Sequence, residues 1–514
     1  MRTLIAGITT VALFASILSS GCEPRTAEKA KLNIEELTVA KAHRGFENGD
    51  FTSEDLVAAY LERIEEYNGK INAITFINPN ALQEARALDA EYKKTGKLRP
   101  LHGIPIIVKD NFNTKGMPTT AGSNALKDFV PEENAFMVQK MLDAGAIILA
   151  KSNMAEWAFS PMHTESSTHG TTRNPYNLAH VPAGSSGGTA AAIASNIGVL
   201  GLGTDTGNSI RGPSSHNALV GFRSTLGLTS RSGIVPLFLR NDVAGPMTRT
   251  VEDATRVLQV VAGFDPKDPL TKHSEGKVEK DYLQYLQKDG LKGARIGILT
   301  ELSEDNPDPE VKQLFLTATG DIEKLGGAVI VDSVDVPGFK ELRKEQWCDV
   351  FRDDVEAYLK EYVKKGSMAK LEDIIKAGSK SKFAEKGLAE SSKSKDRNGT
   401  TLCGDAYTDE RRIKFRGAIE KRMDELQLDA IIYPTWNNKP ALIDKFEEGY
   451  KGDSNQVVAP HTGQPAFTVP MGFTKGNLPA GLQFLGRMYS EPTLIKIAYS
   501  YEQATKHRRP SKLD

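Results

Sequence analysis

The sequence predicts an α/β fold in a single domain, with a central mixed β-sheet covered by helices on both faces. Three observations lead there. Short apolar runs rich in β-branched residues recur, as in HGIPIIVKDN (residues 102–111) and AGAIILAKSN (144–153). Between them lie longer stretches whose apolar residues repeat at helical spacing, and strands alternating with helices stack as a buried parallel or mixed sheet. No internal repeat and no linker divides the 514 residues.

In chain order, the N-terminus is a separate object. Arg2 precedes an apolar run from Leu4 to Leu18 that is too short to span a bilayer with margin, and SSGC follows, ending at Cys22. This is the pattern of an export signal over residues 1–21. The cysteine after Ser-Ser-Gly resembles the lipobox of bacterial lipoproteins, which implies lipidation of Cys22, although Ser19 stands where that motif prefers leucine. The other reading is a plain secretory signal. Residues 22–32 are expected as a polar tether, and the folded domain spans 33–514. From Asn33 to Tyr67, Leu37, Val39, Phe46, Leu56, Ala59, Leu61 and Ile64 mark two amphipathic helices. They break at Asn48-Gly49-Asp50, and Thr52 or Ser53 caps the second. A third helix covers Asn80 to Tyr92. The run ending in Lys109 is a strand; helix Phe136–Asp143 and strand Ala144–Asn153 follow. GVLGLGTDT is the next strand, with later ones in Ala294–Thr300, Gly326–Val334, Asp429–Thr435 and Pro465–Met471. The lysine- and serine-rich stretch Lys360–Asn398, helical around Leu371–Ile375, reads as a peripheral cover.

Composition excludes several functions. The 65 basic and 66 acidic residues cancel, so no global field recruits nucleic acid or an anionic membrane. Membrane contact is expected only through the lipid anchor, which places the protein in the periplasm or cell envelope, or free outside the cell if the signal is plain. Cys348 and Cys403 could pair but form no disulfide framework, and neither is given a catalytic role. His102, His163, His169, His180, His216 and His461 show no ligand spacing, so neither metal nor cofactor is expected.

Three segments can carry chemistry. Lys109 ends the apolar strand GIPIIVK, and alternation turns Lys109 and Asp110 to opposite faces. An inward lysine loses solvation, which favours its neutral, proton-accepting form; an outward one simply reaches water. PAGSSGGTAAA (182–192) allows close packing and a strained backbone. It contains Gly-x-Ser-x-Gly, yet the preceding NPYNLAHVPA is loop-like, whereas a hydrolase elbow needs a strand there. LGTDTGNSIRGPS (202–214) turns sharply after a strand and can aim successive backbone N–H groups at one point, as an oxyanion hole requires.

Taken together the three segments resemble the amidase signature family, whose members hydrolyse or transfer amides with a Ser–cis-Ser–Lys triad. The resemblance starts near Asn33 and runs through most of the chain, including LVGFRSTLGLTSRSGIVPL, GPMTRTVEDA, LDAIIYPT and GQPAFTVPMGF. It implies Ser209 as nucleophile, Ser185 as bridging serine after a cis Gly184–Ser185 peptide, and Lys109 as base. It implies an oxyanion hole in the backbone of Thr206, Gly207, Asn208 and Ser209, with Ser186 behind it. Asp205 and Arg211 read as a buried ion pair supporting the turn. Asn208 replaces a usual glycine, and its side chain either crowds the leaving-group side or donates to substrate; Ala183 replaces another glycine. Loop Thr119–Asn124, Trp157, Phe159 and Trp436 are candidate pocket walls. The expected substrate is a small amide or a peptide C-terminal amide. Competing readings are a component that transfers amide nitrogen onto misacylated tRNA, an inactive exported binder, and an elbow hydrolase using Ser186 with His461.

Overall fold

Eleven short, mostly apolar runs pair edge to edge into one twisted sheet. We number them β1 (Ile74–Ile77), β2 (Pro105–Lys109), β3 (Ile147–Ser152), β4 (Leu200–Asp205), β5 (Val220–Arg223), β6 (Val243–Thr248), β7 (Arg295–Leu299), β8 (Val329–Val334), β9 (Ala430–Pro434), β10 (Ala466–Phe473) and β11 (Pro479–Leu485). Their spatial order is β1-β3-β2-β4-β6-β5-β10-β11-β9-β7-β8. The computed structural model describes residues 32–326, 328–363, 368–394 and 403–513. The expected signal segment, Cys22 and all of the tether but its last residue lie outside them.

The sheet is mixed. β2 runs parallel to β3 and β4, and β7 runs parallel to β8 and β9. The remaining neighbours are antiparallel. Every residue of β2, β3 and β4 is buried, which is why these strands read as continuous apolar runs. Four strands escaped the sequence: β1, β5, β6 and β11. β5 is four residues long, and β6 and β11 carry glycine and proline, so their tertiary partners decide them more than local preference does.

Helices cover the sheet much as the periodicity predicts. Helix Ser53–Ile71 starts at Thr52, whose hydroxyl accepts from Asp55 N while the Asp55 carboxylate returns the bond. The helix after the Ser-Ser-Gly-Gly block, Gly187–Ala194, is wholly buried. Its small residues permit backbone contact: a Cβ on Gly188 would lie 2.1 Å from the carbonyl oxygen of Asn153. Helices Phe351–Tyr362, Leu371–Ala377 and Lys382–Ser391 form the cover, packing Phe351, Val355, Leu371, Ile374 and Leu388 against Trp157 and Met154. Cys348 and Cys403 bracket this cover and are joined as a disulfide, with Cα atoms 5.8 Å apart. Among the described residues no helix is long and apolar enough to cross a membrane.

Parallel pairing matters most where β2 meets β4. Val108 lies opposite Leu202, so Lys109 leaves the sheet beside Thr204 and the turn that follows Asp205.

Candidate active site

Lys109 is completely buried. Its Nζ donates to Ser185 Oγ and to Thr204 Oγ1, each at 2.7 Å. Burial pulls its pKa down to about 7, against the opposing pull of the Asp242 and Asp205 carboxylates. Near neutrality a large share of the amine is therefore unprotonated, with a lone pair free for a proton. Asp110, next in the chain, pairs with Lys151 at 3.4 Å and accepts from Thr120.

Ser185 reaches Lys109 through a cis Gly184–Ser185 peptide. No side chain fits at Gly184, where a Cβ would stand 2.3 Å from His163 O and 2.4 Å from Ser160 O. Gly184 N donates to Pro161 O (3.0 Å), and Ser185 O accepts from Ala155 N (3.1 Å). Ser186 faces elsewhere, donating its hydroxyl to Thr204 O at 3.2 Å.

The turn from Thr206 to Ser209 is bolted from below. Asp205 binds Arg211 Nε at 3.1 Å and Arg223 Nη1 at 2.8 Å, all with side chains fully buried. Burial alone pushes the Asp205 carboxyl up, but the guanidinium groups of Arg211 and then Arg223 hold it well below the usual carboxylate range. Asp205 Oδ2 also accepts from Ile210 N (3.2 Å), and Arg211 Nη2 donates to Gly207 O (2.8 Å). Thr206 Oγ1 donates to Asp242 Oδ1 at 2.5 Å. The carbonyls of Gly207 and Asn208 are thus consumed by the scaffold, the latter by Gly212 N at 2.7 Å, whereas the N–H groups of Thr206, Gly207, Asn208 and Ser209 have no hydrogen-bond partner among the described residues.

Ser209 is 5% exposed. Its hydroxyl does not bond Ser185 here; it donates to Asn208 Oδ1 at 3.3 Å. Asn208 Nδ2 in turn donates to Asp453 Oδ2 (3.0 Å) and Pro161 O (3.2 Å). So Lys109 and Ser185 meet directly, Pro161 O ties the Asn208 side chain of the nucleophile turn to Gly184 N before Ser185, and the Asp205–Arg211 pair exists with Arg223 as a third member.

Other expected residues sit farther out. Trp157 and Phe159 pack on Phe351 of the cover, with ring centroids 5.9 and 4.8 Å away. Trp436 lies between His216, tilted against it at 4.4 Å, and Tyr450, edge-on at 5.6 Å. In loop Thr119–Asn124, Thr120 is tied to Asp110, the residue that follows Lys109. His461 is buried and meets Trp347 edge-on, and no hydrogen bond joins it to Ser186 among the described residues. Sequence reasoning missed Thr204, Arg223, Asp242 and Asp453. Only Thr204 gave a signal, as a hydroxyl set inside an otherwise apolar strand.

Comparison with known proteins gives the family. A family model described as Amidase matches residues 55–495. A probable amidase of Arabidopsis thaliana is 34% identical over 517 residues, covering 97% of this chain and 96% of that protein. A glutamyl-tRNA(Gln) amidotransferase component of Alkaliphilus metalliredigens is 35% identical over 486 residues, 92% of this chain and 97% of that one. The crystal structure of native peptide amidase from Stenotrophomonas maltophilia superimposes with a TM-score of 0.81 at 35% identity, covering 93% of this chain and 99% of that chain. The chain belongs to the amidase family and is a hydrolase of amide carbon–nitrogen bonds.

Proposed function

We propose that the protein hydrolyses amides through an acyl-enzyme on Ser209, with Ser185 as the bridging hydroxyl and Lys109 as the base, and that its substrates are peptide C-terminal amides or small amides. One observation carries the mechanism: a lysine amine, buried and pulled toward neutrality, lies 2.7 Å from the hydroxyl of Ser185. A protonated ammonium has no lone pair, so only the neutral form can take a proton. Ser209 attacks the substrate carbonyl as its proton passes to Ser185 and the Ser185 proton passes to Lys109. The unpartnered N–H groups of Gly207, Asn208 and Ser209 suit the developing oxyanion. The relay then runs backwards and protonates the leaving nitrogen, without which an amide does not depart. Water, activated by the same relay, frees the acid.

The substrate class is supported by the 35% identity to a peptide amidase over almost its whole length. Export fits the Cys348–Cys403 disulfide, since such bonds persist in oxidising compartments. That favours an exported hydrolase over a tRNA-modifying component. The test is ammonia release from peptide C-terminal amides, aliphatic amides and aromatic amides. Release from the peptide amides or small amides, lost in Ser209→Ala, is expected. Release that survives Ser209→Ala, or none from any of these amides, rules the proposal out.

A further inference from the structure

The side chain that replaces glycine before the nucleophile is held on every side. Both hydrogens of the Asn208 amide are committed, one to Asp453 Oδ2 at 3.0 Å and one to Pro161 O at 3.2 Å. Asp453 is itself fixed by three more donors: Tyr450 OH (3.0 Å), Gln456 Nε2 (2.9 Å) and Asn455 Nδ2 (3.2 Å). Pro161 O also accepts from Gly184 N, the residue before the bridging serine. With its nitrogen pinned, the amide can point Oδ1 only one way, and that is at Ser209 Oγ, 3.3 Å off.

A serine hydroxyl has a single proton and cannot donate to Asn208 Oδ1 and Ser185 Oγ together. In this arrangement the nucleophile is therefore disengaged from Lys109 and Ser185. A donor that meets Oδ1 competes for its lone pairs, weakens its hold on the Ser209 proton and favours the turn of that hydroxyl toward Ser185. Oδ1 is an acceptor, and in a bound amide the leaving nitrogen carries an N–H beside the attacked carbon. An ester presents only oxygen at that place and has nothing to donate.

We propose that Asn208 is a specificity-determining positioning residue: its pinned carboxamide oxygen holds the Ser209 hydroxyl off the relay and releases it to a substrate whose leaving group donates an N–H, favouring amides over esters. This rests on Ser209 being the nucleophile. A neutral hydrogen bond of this kind is worth roughly a 2- to 10-fold effect.

The experiment compares an ester and an amide bearing the same acyl group, with wild type, Asn208→Ala and Asp453→Asn, alongside the rate of Ser209 labelling by a fluorophosphonate, which also carries no leaving-group N–H. The Asn208→Ala enzyme is expected to raise the ester-to-amide ratio of kcat/KM by roughly 2- to 10-fold and to label faster by a similar factor. Asp453→Asn, which loosens the pin, moves both in the same direction by less, and it serves alone if Asn208→Ala fails to fold. An unchanged or lowered ratio in the folded variants, or slower labelling, overturns the proposal. If wild-type protein is not labelled at Ser209 at all, the nucleophile assignment fails instead, which keeps the two outcomes apart.

Discussion

Lys109 is where the chemistry and the stability of this protein pull against each other. The ordinary lysine pKa is near 10.5, and burial lowers it to about 7 in the folded state. Since the neutral amine is the working form, kcat/KM should rise with pH through a transition near 7 and level off above it. Folding feels the same shift with a definite sign. Between about pH 7 and 10.5 the unfolded chain holds a proton on Lys109 that the folded chain lacks, so this group's penalty shrinks as pH rises. Wild-type stability measured against Lys109→Met by urea denaturation should therefore climb across that window. A difference that stays flat would mean the amine is charged when folded. Lys109 could be singled out in the sequence because an apolar strand ended in it. Its second partner Thr204 showed only as a hydroxyl in an otherwise apolar strand, and the carboxylate of Asp242 not at all, since it comes into place only once a segment 133 positions away has folded.

At the level of elements, the nucleophile turn depends on one carboxylate between two guanidinium groups. Asp205→Asn leaves Arg211 and Arg223 buried without a counter-charge, and removing one partner of such a group costs about 3–5 kcal/mol. Chemical denaturation should register that loss, with activity falling alongside because Arg211 also holds Gly207 O. The helix behind the bridging serine makes a sharper demand on space. Gly188→Ala would press a methyl carbon to 2.1 Å from Asn153 O, and overpacking of this kind typically costs about 1–3 kcal/mol. A Gly188→Ala protein as stable as wild type would show that this contact is looser than described. The Ser-Ser-Gly-Gly block and the turn were legible because runs of small residues are unusual. Arg223 was not: it lies on β5, a strand of four residues whose existence depends on β6 and β10 beside it.

Across the whole molecule, the alternation of apolar runs and helical periodicity was enough for the α/β class and for one large mixed sheet. Strand order was beyond it, because β10 pairs with β5 from more than two hundred positions away. The region Lys360–Asn398 was expected as a cover, and helices there do pack over Trp157. The disulfide closes the chain around that cover, with its cysteines 55 positions apart. Cross-linking a loop of this length contributes about 2–4 kcal/mol by restricting the unfolded chain. Cys403→Ser should lower the denaturation midpoint accordingly, and an unchanged midpoint would show that the cover holds without its staple. Asn208 illustrates what sequence alone withholds. Its departure from glycine was visible, but its anchor Asp453 sits 245 positions later.

The most direct test of the account is the pH dependence of acyl-enzyme formation on Ser209, followed as the burst or labelling rate in wild type and in Lys109→Ala. A buried amine near neutrality gives a rate that rises through pH of about 7 in wild type and is reduced by orders of magnitude at every pH in the variant. A rate indifferent to pH between 6 and 9 (roughly the range in which such an amine titrates), or a Lys109→Ala protein that acylates normally, would contradict it.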